Sequence, residues 1–130
     1  SEAATGEPFV KHWMHVAMVF MNGSKMSKSL GNLVFVDKLR TEWDPRAIRL
    51  AIIEHHYRRE WEWEATLMPR NSDRLASWSA SRGSDDGVLA AVREALDDDL
   101  DTPAALAIVD RAASSRRGVE SAAALLGVVL

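Results

Sequence analysis

Two lysines three positions apart, Lys25 and Lys28, are the residues of this sequence best suited to chemistry. The hydroxyl residues Ser27 and Ser29 lie beside them, and Met26 is the one apolar residue between the lysines. Ammonium groups can offset the charge that develops on a leaving pyrophosphate when a carboxylate attacks the α-phosphorus of a triphosphate. Serine hydroxyls can donate hydrogen bonds to phosphate oxygens. The residue types therefore indicate triphosphate binding, although loops rich in lysine and serine are more often solvated turns.

The lysine loop, which we define as residues 24–32, follows a strong signal for a tight turn at Asn22-Gly23. Residues 12–21 are rich in β-branched and aromatic side chains, which predicts a strand before the turn. Gly31 allows the backbone to bend at the end of the loop. We therefore expect a small β-hairpin that places the loop at the end of a rigid element.

The remainder of the chain is predicted to be helical. Asp44-Pro45 and Thr102-Pro103 each combine a capping residue with a proline suited to the first helical turn. Pro69 is expected either to kink a helix or to belong to its first turn. Apolar residues recur at helical spacing in residues 48–55, 67–78, 89–100, 105–112 and 119–129. The expected fold is mainly α, with four or five helices packed as a bundle after the hairpin.

Composition limits the classes of protein to consider. The chain has 130 residues, a formal net charge of −3 and 47% hydrophobic residues, which suits one domain or one piece of a larger protein. It has no cysteine, so disulfides and cysteine-based zinc sites are excluded. No apolar run approaches the roughly 20 residues of a membrane span, and residues 1–8 do not resemble a signal peptide. A cytoplasmic location is expected.

Histidines and acidic residues elsewhere do not predict a metal site. His12 and His15 are better explained by packing or surface positions. His55 and His56 are adjacent, and neighbouring positions on a helix point in different directions. The acidic run at residues 97–101 is better explained by charge and capping at helix ends. Trp61 and Trp63 are expected to be an aromatic cluster that packs on the next helix rather than a substrate cage.

The pentapeptide of residues 25–29, Lys-Met-Ser-Lys-Ser, resembles the second signature motif of class I aminoacyl-tRNA synthetases, and its extension through Asn32 is more specific still. Segments on both sides resemble the cysteine-activating branch of that family, which contains the cysteinyl-tRNA synthetases and the mycothiol ligases. These segments are residues 1–6, Phe9, residues 13–15, 47–50, 56–58 and 98–103. The resemblance covers essentially the whole chain.

Three features resemble the mycothiol ligases more than the tRNA synthetases. They are residues 32–36, the pair Trp61 and Trp63, and the ending at residues 124–130. Ala17 departs from the pattern, since relatives commonly have glycine there. The first signature motif of the class and the zinc ligands that select cysteine have no counterpart in this sequence, and the resemblance assigns them to a segment before Ser1.

The resemblance implies a fragment of an ATP-dependent ligase that forms cysteinyl adenylate and joins cysteine to the amine of glucosaminyl-inositol, releasing AMP and pyrophosphate. Lys25 and Lys28 would be catalytic, with Lys28 the stronger candidate for the pyrophosphate contact. Residues 25–29, with Met18 and Val19 near the adenine, would bind ATP and its magnesium. The implied divisions are 1–36, the end of a catalytic domain; 37–82, a helical region; and 83–130, a helical bundle. The fragment alone is expected to be inactive, and its partner would be the nucleotide-binding domain before Ser1.

Two other functions stay open at this point. A cysteinyl-tRNA synthetase fragment would need a basic helical face for tRNA. The residues available for such a face are Arg58, Arg59, Arg70, Arg74, Arg111, Arg116 and Arg117. A helical interaction module without chemistry is the third hypothesis, and the intact loop motif argues against it.

Overall fold

The computed structural model describes residues 2–130, with side chains from residue 4 onward. Ser1, the first residue of the expected 1–36 segment, lies outside the described residues. The elements are α1 (Glu2–Thr5), β1 (Val19–Met21), β2 (Ser24–Lys25), α2 (Val36–Glu42), α3 (Pro45–Ile53), β3 (Trp61–Glu62), α4 (Leu67–Ala80), α5 (Asp86–Asp97), α6 (Thr102–Ser114) and α7 (Glu120–Leu125). The mainly α fold with a small β element is confirmed. Six helices follow the lysine loop instead of four or five, because α2 forms where no apolar stripe predicted a helix.

The three strands form one small sheet in the order β2-β1-β3. The hairpin of β1 and β2 is antiparallel, whereas β3 pairs with β1 in parallel. The prediction of a strand over residues 12–21 was too long, since only Val19–Met21 is a strand. A strand needs a partner for its backbone groups, and upstream of β1 the chain is mostly exposed, with Trp13 72% accessible.

Helix starts largely follow the predicted capping pattern. The Asp44 carboxylate accepts a hydrogen bond from the backbone N–H of Arg46 at 2.8 Å, and Pro45 is the first residue of α3. Pro69 lies in the first turn of α4 and does not interrupt it. The prediction at α6 was wrong by one residue. Asp101 is the cap, with its carboxylate accepting from the N–H of Ala104 at 3.0 Å, and Thr102 already belongs to the helix.

One hydrophobic core joins helices α3 to α7. Its largest fully buried side chains are Trp78, Leu50, Leu67, Leu106, Val88, Val92, Val109, Val119 and Val128. Three residues of the predicted stripes are instead exposed, namely Ile52 at 48%, Leu100 at 47% and Val129 at 73%. Leu100 lies beyond the end of α5, where Asp99 and Leu100 have φ of 52° and 56°, so the helical spacing no longer applies. Past Gly127 the chain buries Val128 rather than Val129.

The last residues are fastened to α3 by arginines. The Arg49 Nε donates to the carbonyl of Leu126 at 2.6 Å, and Arg46 Nη1 donates to the carbonyl of Val129 at 2.9 Å. The first bond satisfies the carbonyl of the C-cap residue of α7, and the second holds the chain beyond that helix. Gly127 has φ of +76°, and a Cβ there would meet the Arg49 guanidinium at 2.5 Å.

A polar network links α3 to α4 and α6. The Glu54 carboxylate accepts hydrogen bonds from Arg70, from Asn71 Nδ2 at 2.8 Å and from Arg74 Nη1 at 2.9 Å. Arg74 also pairs with Asp110, with its Nε 3.1 Å from Oδ2. The Glu54 side chain is only 10% exposed, so this network connects three helices inside the bundle. No helix in the described part of the chain is long and apolar enough to cross a membrane.

Candidate functional site

The lysine loop begins on a tight hairpin. Asn22 and Gly23 have φ of 53° and 73°, which is the type I′ geometry that suits a two-residue turn between twisted strands. Phe20 pairs with Lys25 across the hairpin, and the N–H of Met26 donates to the carbonyl of Val19 at 2.9 Å. The turn predicted from Asn22-Gly23 is confirmed, and backbone hydrogen bonds to β1 continue as far as Met26.

Asn32 closes the lysine loop. Its Oδ1 accepts from the backbone N–H of Ser27 at 2.8 Å, and its Nδ2 donates to the carbonyl of Lys25 at 3.2 Å. Gly31, with φ of +66°, donates its N–H to the carbonyl of Lys28 at 3.3 Å. A single amide side chain therefore holds the backbone of the loop at both Lys25 and Ser27. Sequence reasoning used Asn32 only as part of a motif and gave it no role of its own.

The two lysines are available to a ligand. Lys25, Lys28 and Ser29 are exposed. Among the side chains that the structure describes, no carboxylate forms an ion pair with either lysine. Ser27 Oγ lies 3.3 Å from Ser29 Oγ and accepts from the N–H of Leu30 at 3.3 Å. The loop therefore presents two uncompensated positive charges on a backbone that its own polar groups hold in shape.

Val19 is the first residue of β1 and Met18 precedes it, and both carbonyls accept backbone hydrogen bonds. Trp61 donates its N–H to the carbonyl of Met18 at 3.3 Å, and Met26 donates to Val19. The structure thus brings Val19 next to Met26 and Met18 next to Trp61, and the side chain of Met18 is 44% exposed. Ala17 donates its N–H to the carbonyl of Tyr57 at 2.8 Å.

A mainly apolar groove of about 330 Å³ opens next to β1. It is lined by Met14, Val16, Ala17, Val19, Ile52, Ile53, His55, Tyr57, Trp61, Leu100 and Thr102. The His55 ring stacks on Trp61, with centroids 4.0 Å apart, and its Nδ1 lies 3.1 Å from the carbonyl of Ala51. Burial lowers the pKa of His55 below its ordinary value of 6.5, and the Glu54 charge opposes this only in part. The lowered pKa favours the neutral imidazole, in keeping with the packing of His55 on Trp61.

Asp99 connects the turn before α6 to the segment after α3. Its carboxylate accepts from Arg58 Nε at 2.7 Å and from the Tyr57 hydroxyl at 2.6 Å, and its carbonyl lies 3.1 Å from His56 Nε2. The hydrogen bond from Arg58, followed by that from Tyr57, lowers the pKa of Asp99 to about 2. Because Tyr57 also binds Ala17, this contact ties the helical bundle to the approach to β1.

The arginines that a tRNA-binding face would need are partly neutralised. Arg58 pairs with Asp99, Arg70 and Arg74 pair with Glu54, and Arg117 pairs with Asp85. The hydrogen bond from Arg117 is the main cause that lowers the pKa of Asp85 to about 2. Within residues 2–130 as described, no group of three or more histidines and acidic residues is arranged to hold a metal.

Comparison with known proteins places these features in a family. Residues 1–73, more than half of the chain, match the family described as tRNA synthetases class I (C) catalytic domain. This span contains the hairpin, the lysine loop, α3 and β3.

Several curated proteins named as L-cysteine:1D-myo-inositol 2-amino-2-deoxy-α-D-glucopyranoside ligase are similar to the chain. The protein from Acidothermus cellulolyticus is 53% identical over 116 residues, which cover 85% of this chain and 29% of the relative. The protein from Streptomyces griseus is 48% identical over an alignment that covers all of this chain and 36% of the relative. The protein from Streptosporangium roseum is 52% identical over 82% of this chain and 28% of its own length. The chain thus spans about a third of the length of these relatives, and it belongs to the family of class I (C) tRNA synthetase catalytic domains.

Proposed function

We propose that this chain is the part of an ATP-dependent cysteine ligase that carries the lysine loop, and that the intact protein joins cysteine to the amine of glucosaminyl-inositol. The observation that carries the proposal is the loop itself, fastened by Asn32 with Lys25 and Lys28 uncompensated. The names of relatives that are about half identical to the chain support the choice of substrates. Residues 1–36 would contribute to the active site, and the helices of 37–82 and 83–130 would support them.

In the proposed first step, a carboxylate oxygen of cysteine attacks the α-phosphorus of ATP. The bond between that phosphorus and the oxygen bridging to the β-phosphate breaks, so pyrophosphate leaves and cysteinyl adenylate forms. Negative charge grows on the leaving group, where Lys28, assisted by Lys25, would stabilise it. Uncompensated lysines suit this role, because an ion pair with a carboxylate would weaken their attraction for phosphate.

In the proposed second step, the amine nitrogen of glucosaminyl-inositol attacks the acyl carbon of cysteinyl adenylate. An amide bond forms, the bond to the AMP oxygen breaks, and the nitrogen loses a proton. The chain has no cysteine, and its described residues do not form a metal cluster, so the zinc that the resemblance implies does not fit this chain. We assign zinc to the segment before Ser1 and magnesium to the bound triphosphate.

Charge distribution favours the sugar amine over tRNA as the acceptor. Four of the seven candidate arginines form ion pairs with carboxylates, and the net charge is −3. Binding to a nucleic acid backbone depends on cationic side chains that can displace counterions from phosphates. Arginines already paired with carboxylates are less suited to this.

The test is pyrophosphate exchange by the intact protein with cysteine and ATP, followed by addition of glucosaminyl-inositol or tRNA in parallel. We expect exchange that depends on cysteine, and amide product with the sugar only. Charged tRNA without a sugar product would identify a tRNA synthetase instead. Absence of exchange that depends on cysteine would refute both enzymes and leave a helical interaction module.

A further inference from the structure

Residues 61–64 alternate tryptophan with glutamate, and this alternation has a structural reason. Successive side chains of a strand point to opposite faces of the sheet. Trp61 and Trp63 are half-buried and pack against the hydrophobic core, whereas Glu62 is exposed. Two backbone hydrogen bonds flank Glu62. The N–H of Trp61 donates to the carbonyl of Met18, and the N–H of Trp63 donates to the carbonyl of Phe20 at 2.8 Å. The two tryptophans therefore anchor β3, and Glu62 faces away from the core.

The Glu62 side chain reaches the turn that leads into the lysine loop. Its Oε1 accepts a hydrogen bond from the backbone N–H of Gly23 at 2.7 Å. In a type I′ turn this N–H takes no part in the hydrogen bond that closes the hairpin, so it is free to donate to the Glu62 carboxylate. A bond to a carboxylate is shorter and stronger than one between neutral groups.

The position of Glu62 in the sheet also relates it to Lys25. Phe20 pairs with Lys25 on one side and with Glu62 on the other, so the three residues share one face. With neighbouring strands about 4.8 Å apart, Glu62 and Lys25 are separated by roughly 10 Å of backbone. The Glu62 carboxylate contacts the turn at Gly23, and no ion pair joins it to Lys25 among the described residues.

We infer that Glu62 is a positioning residue, which sets the orientation of the hairpin turn and through it the place of Lys25 and Lys28. The two tryptophans fix β3 to the core, Glu62 fixes the turn to β3, and the hairpin carries the lysines. This inference rests on the proposed function for its effect on catalysis, but the contact between Glu62 and Gly23 can be tested without it. Small displacements of a catalytic group can cost about a hundredfold in rate.

The experiment compares Glu62→Ala with Glu62→Gln in the intact protein. Both changes remove the charge, but glutamine keeps a side-chain oxygen that can accept from Gly23. Glu60→Ala serves as the matched control, since Glu60 is exposed and lies just before β3. The first measurement is amide hydrogen exchange at Gly23, and the second is kcat/KM for ATP in pyrophosphate exchange with KM for cysteine measured alongside. Circular dichroism checks that each variant folds.

We expect Glu62→Ala to increase exchange at Gly23 roughly tenfold and to lower kcat/KM for ATP about tenfold, with little change in KM for cysteine. Glu62→Gln and Glu60→Ala should stay within about twofold of the parent. Unchanged exchange at Gly23 in Glu62→Ala would overturn the inference whatever the activity. Faster exchange with unaltered kcat/KM for ATP would overturn the positioning role, and a Gln variant as impaired as Ala would show that charge acts instead. A parent protein without pyrophosphate exchange would refute the proposed function, while the Gly23 measurement still decides the contact.

Discussion

Replacing Glu54 with glutamine should weaken the bundle at the place where α3, α4 and α6 meet. The Glu54 carboxylate is 10% exposed and accepts hydrogen bonds from three side chains, of which Asn71 is fully buried. Glutamine has nearly the same shape but only one oxygen. Its amide group would face donors of Arg70, Asn71 or Arg74, so at least one charge-assisted hydrogen bond is lost.

The expected cost follows from how exposed the partners are. A hydrogen bond to a charged group contributes about 1.5–3 kcal/mol, and removing one partner of a fully buried ion pair costs about 3–5 kcal/mol. The loss here should be smaller than the second figure, because Arg70 is 46% exposed and Arg74 keeps its pair with Asp110. We expect Glu54→Gln to lower the free energy of unfolding by about 2–3 kcal/mol, a large share of the roughly 5–15 kcal/mol typical of a domain.

The assay is urea unfolding followed by tryptophan fluorescence at several pH values. Burial raises the pKa of Glu54, but hydrogen bonds from Arg70, Asn71 and Arg74 together outweigh it, so the pKa lies below its ordinary 4.5. A carboxylate with a lowered pKa in the folded state contributes stability above its unfolded pKa and loses it as pH falls through the folded pKa. The difference between parent and Glu54→Gln should therefore be constant above about pH 5 and shrink as pH falls below 4.5.

The control is Glu60→Gln, an exposed glutamate outside this network, which should change the free energy of unfolding by less than about 0.5 kcal/mol. A Glu54→Gln loss no larger than the control would refute the claim that the network stabilises the bundle. A loss that is equally large at pH 3 and pH 7 would refute the assignment of the effect to the ionised carboxylate.

Three further outcomes are expected. Lys28→Ala should reduce pyrophosphate exchange by the intact protein about 10²–10³-fold with unaltered circular dichroism. Lys38→Ala on α2 removes the same charge elsewhere and should leave the exchange unaltered. Equal effects of the two would mean that the net charge of the protein, and not the position of Lys28, is responsible. Gly127→Ala should lower the free energy of unfolding by about 1–2 kcal/mol, because it combines positive φ with a Cβ 2.5 Å from a guanidinium. Gly83→Ala, which has φ of +84° and open space, should cost less in the same urea titration. The pKa of Asp99 is lowered from 3.8 to about 2, so its ionised carboxylate stabilises the folded parent and that stability is lost as the pH falls through this range. The free energy of unfolding of Asp99→Asn should therefore lack this decrease in an acid titration. An unchanged acid profile would contradict that pairing.

Local signals account for the parts of the fold that were predicted well. Asn22-Gly23 adopts positive φ at both positions, and Asp44-Pro45 begins α3 as expected. Such signals succeed because the conformation depends on a few neighbouring residues, whose φ preferences and short side chains act within one turn. The cap of α6 shows the limit of this reasoning. Asp101 and Thr102 are both suitable caps, and the structure uses Asp101, which follows two residues of positive φ, Asp99 and Leu100.

Longer-range pairing accounts for the parts that were missed. The strand prediction for residues 12–21 failed upstream of Val19, because apolar alternation does not supply a partner strand. The alternation of residues 61–64 was a usable signal for β3, but its parallel pairing with β1 joins residues about forty positions apart and cannot be read from either segment alone. The role of Glu62 at Gly23 follows only from that pairing.

The sequence by itself determined the cationic, serine-rich character of the lysine loop and the helical class of the rest. Residue types and spacing were sufficient, because a cationic serine-rich segment after a tight turn and apolar residues at helical period are local properties. The tertiary structure decided which side chains contact the loop and its turn, namely Asn32 across the loop and Glu62 at the turn. It also decided that the carboxylates of Glu54 and Asp99 form ion pairs with arginines of distant segments. Contacts between distant segments depend on how whole helices and strands pack. Each such contact closes a long loop of chain, and the entropy lost in closing it must be offset by packing that neither segment shows by itself.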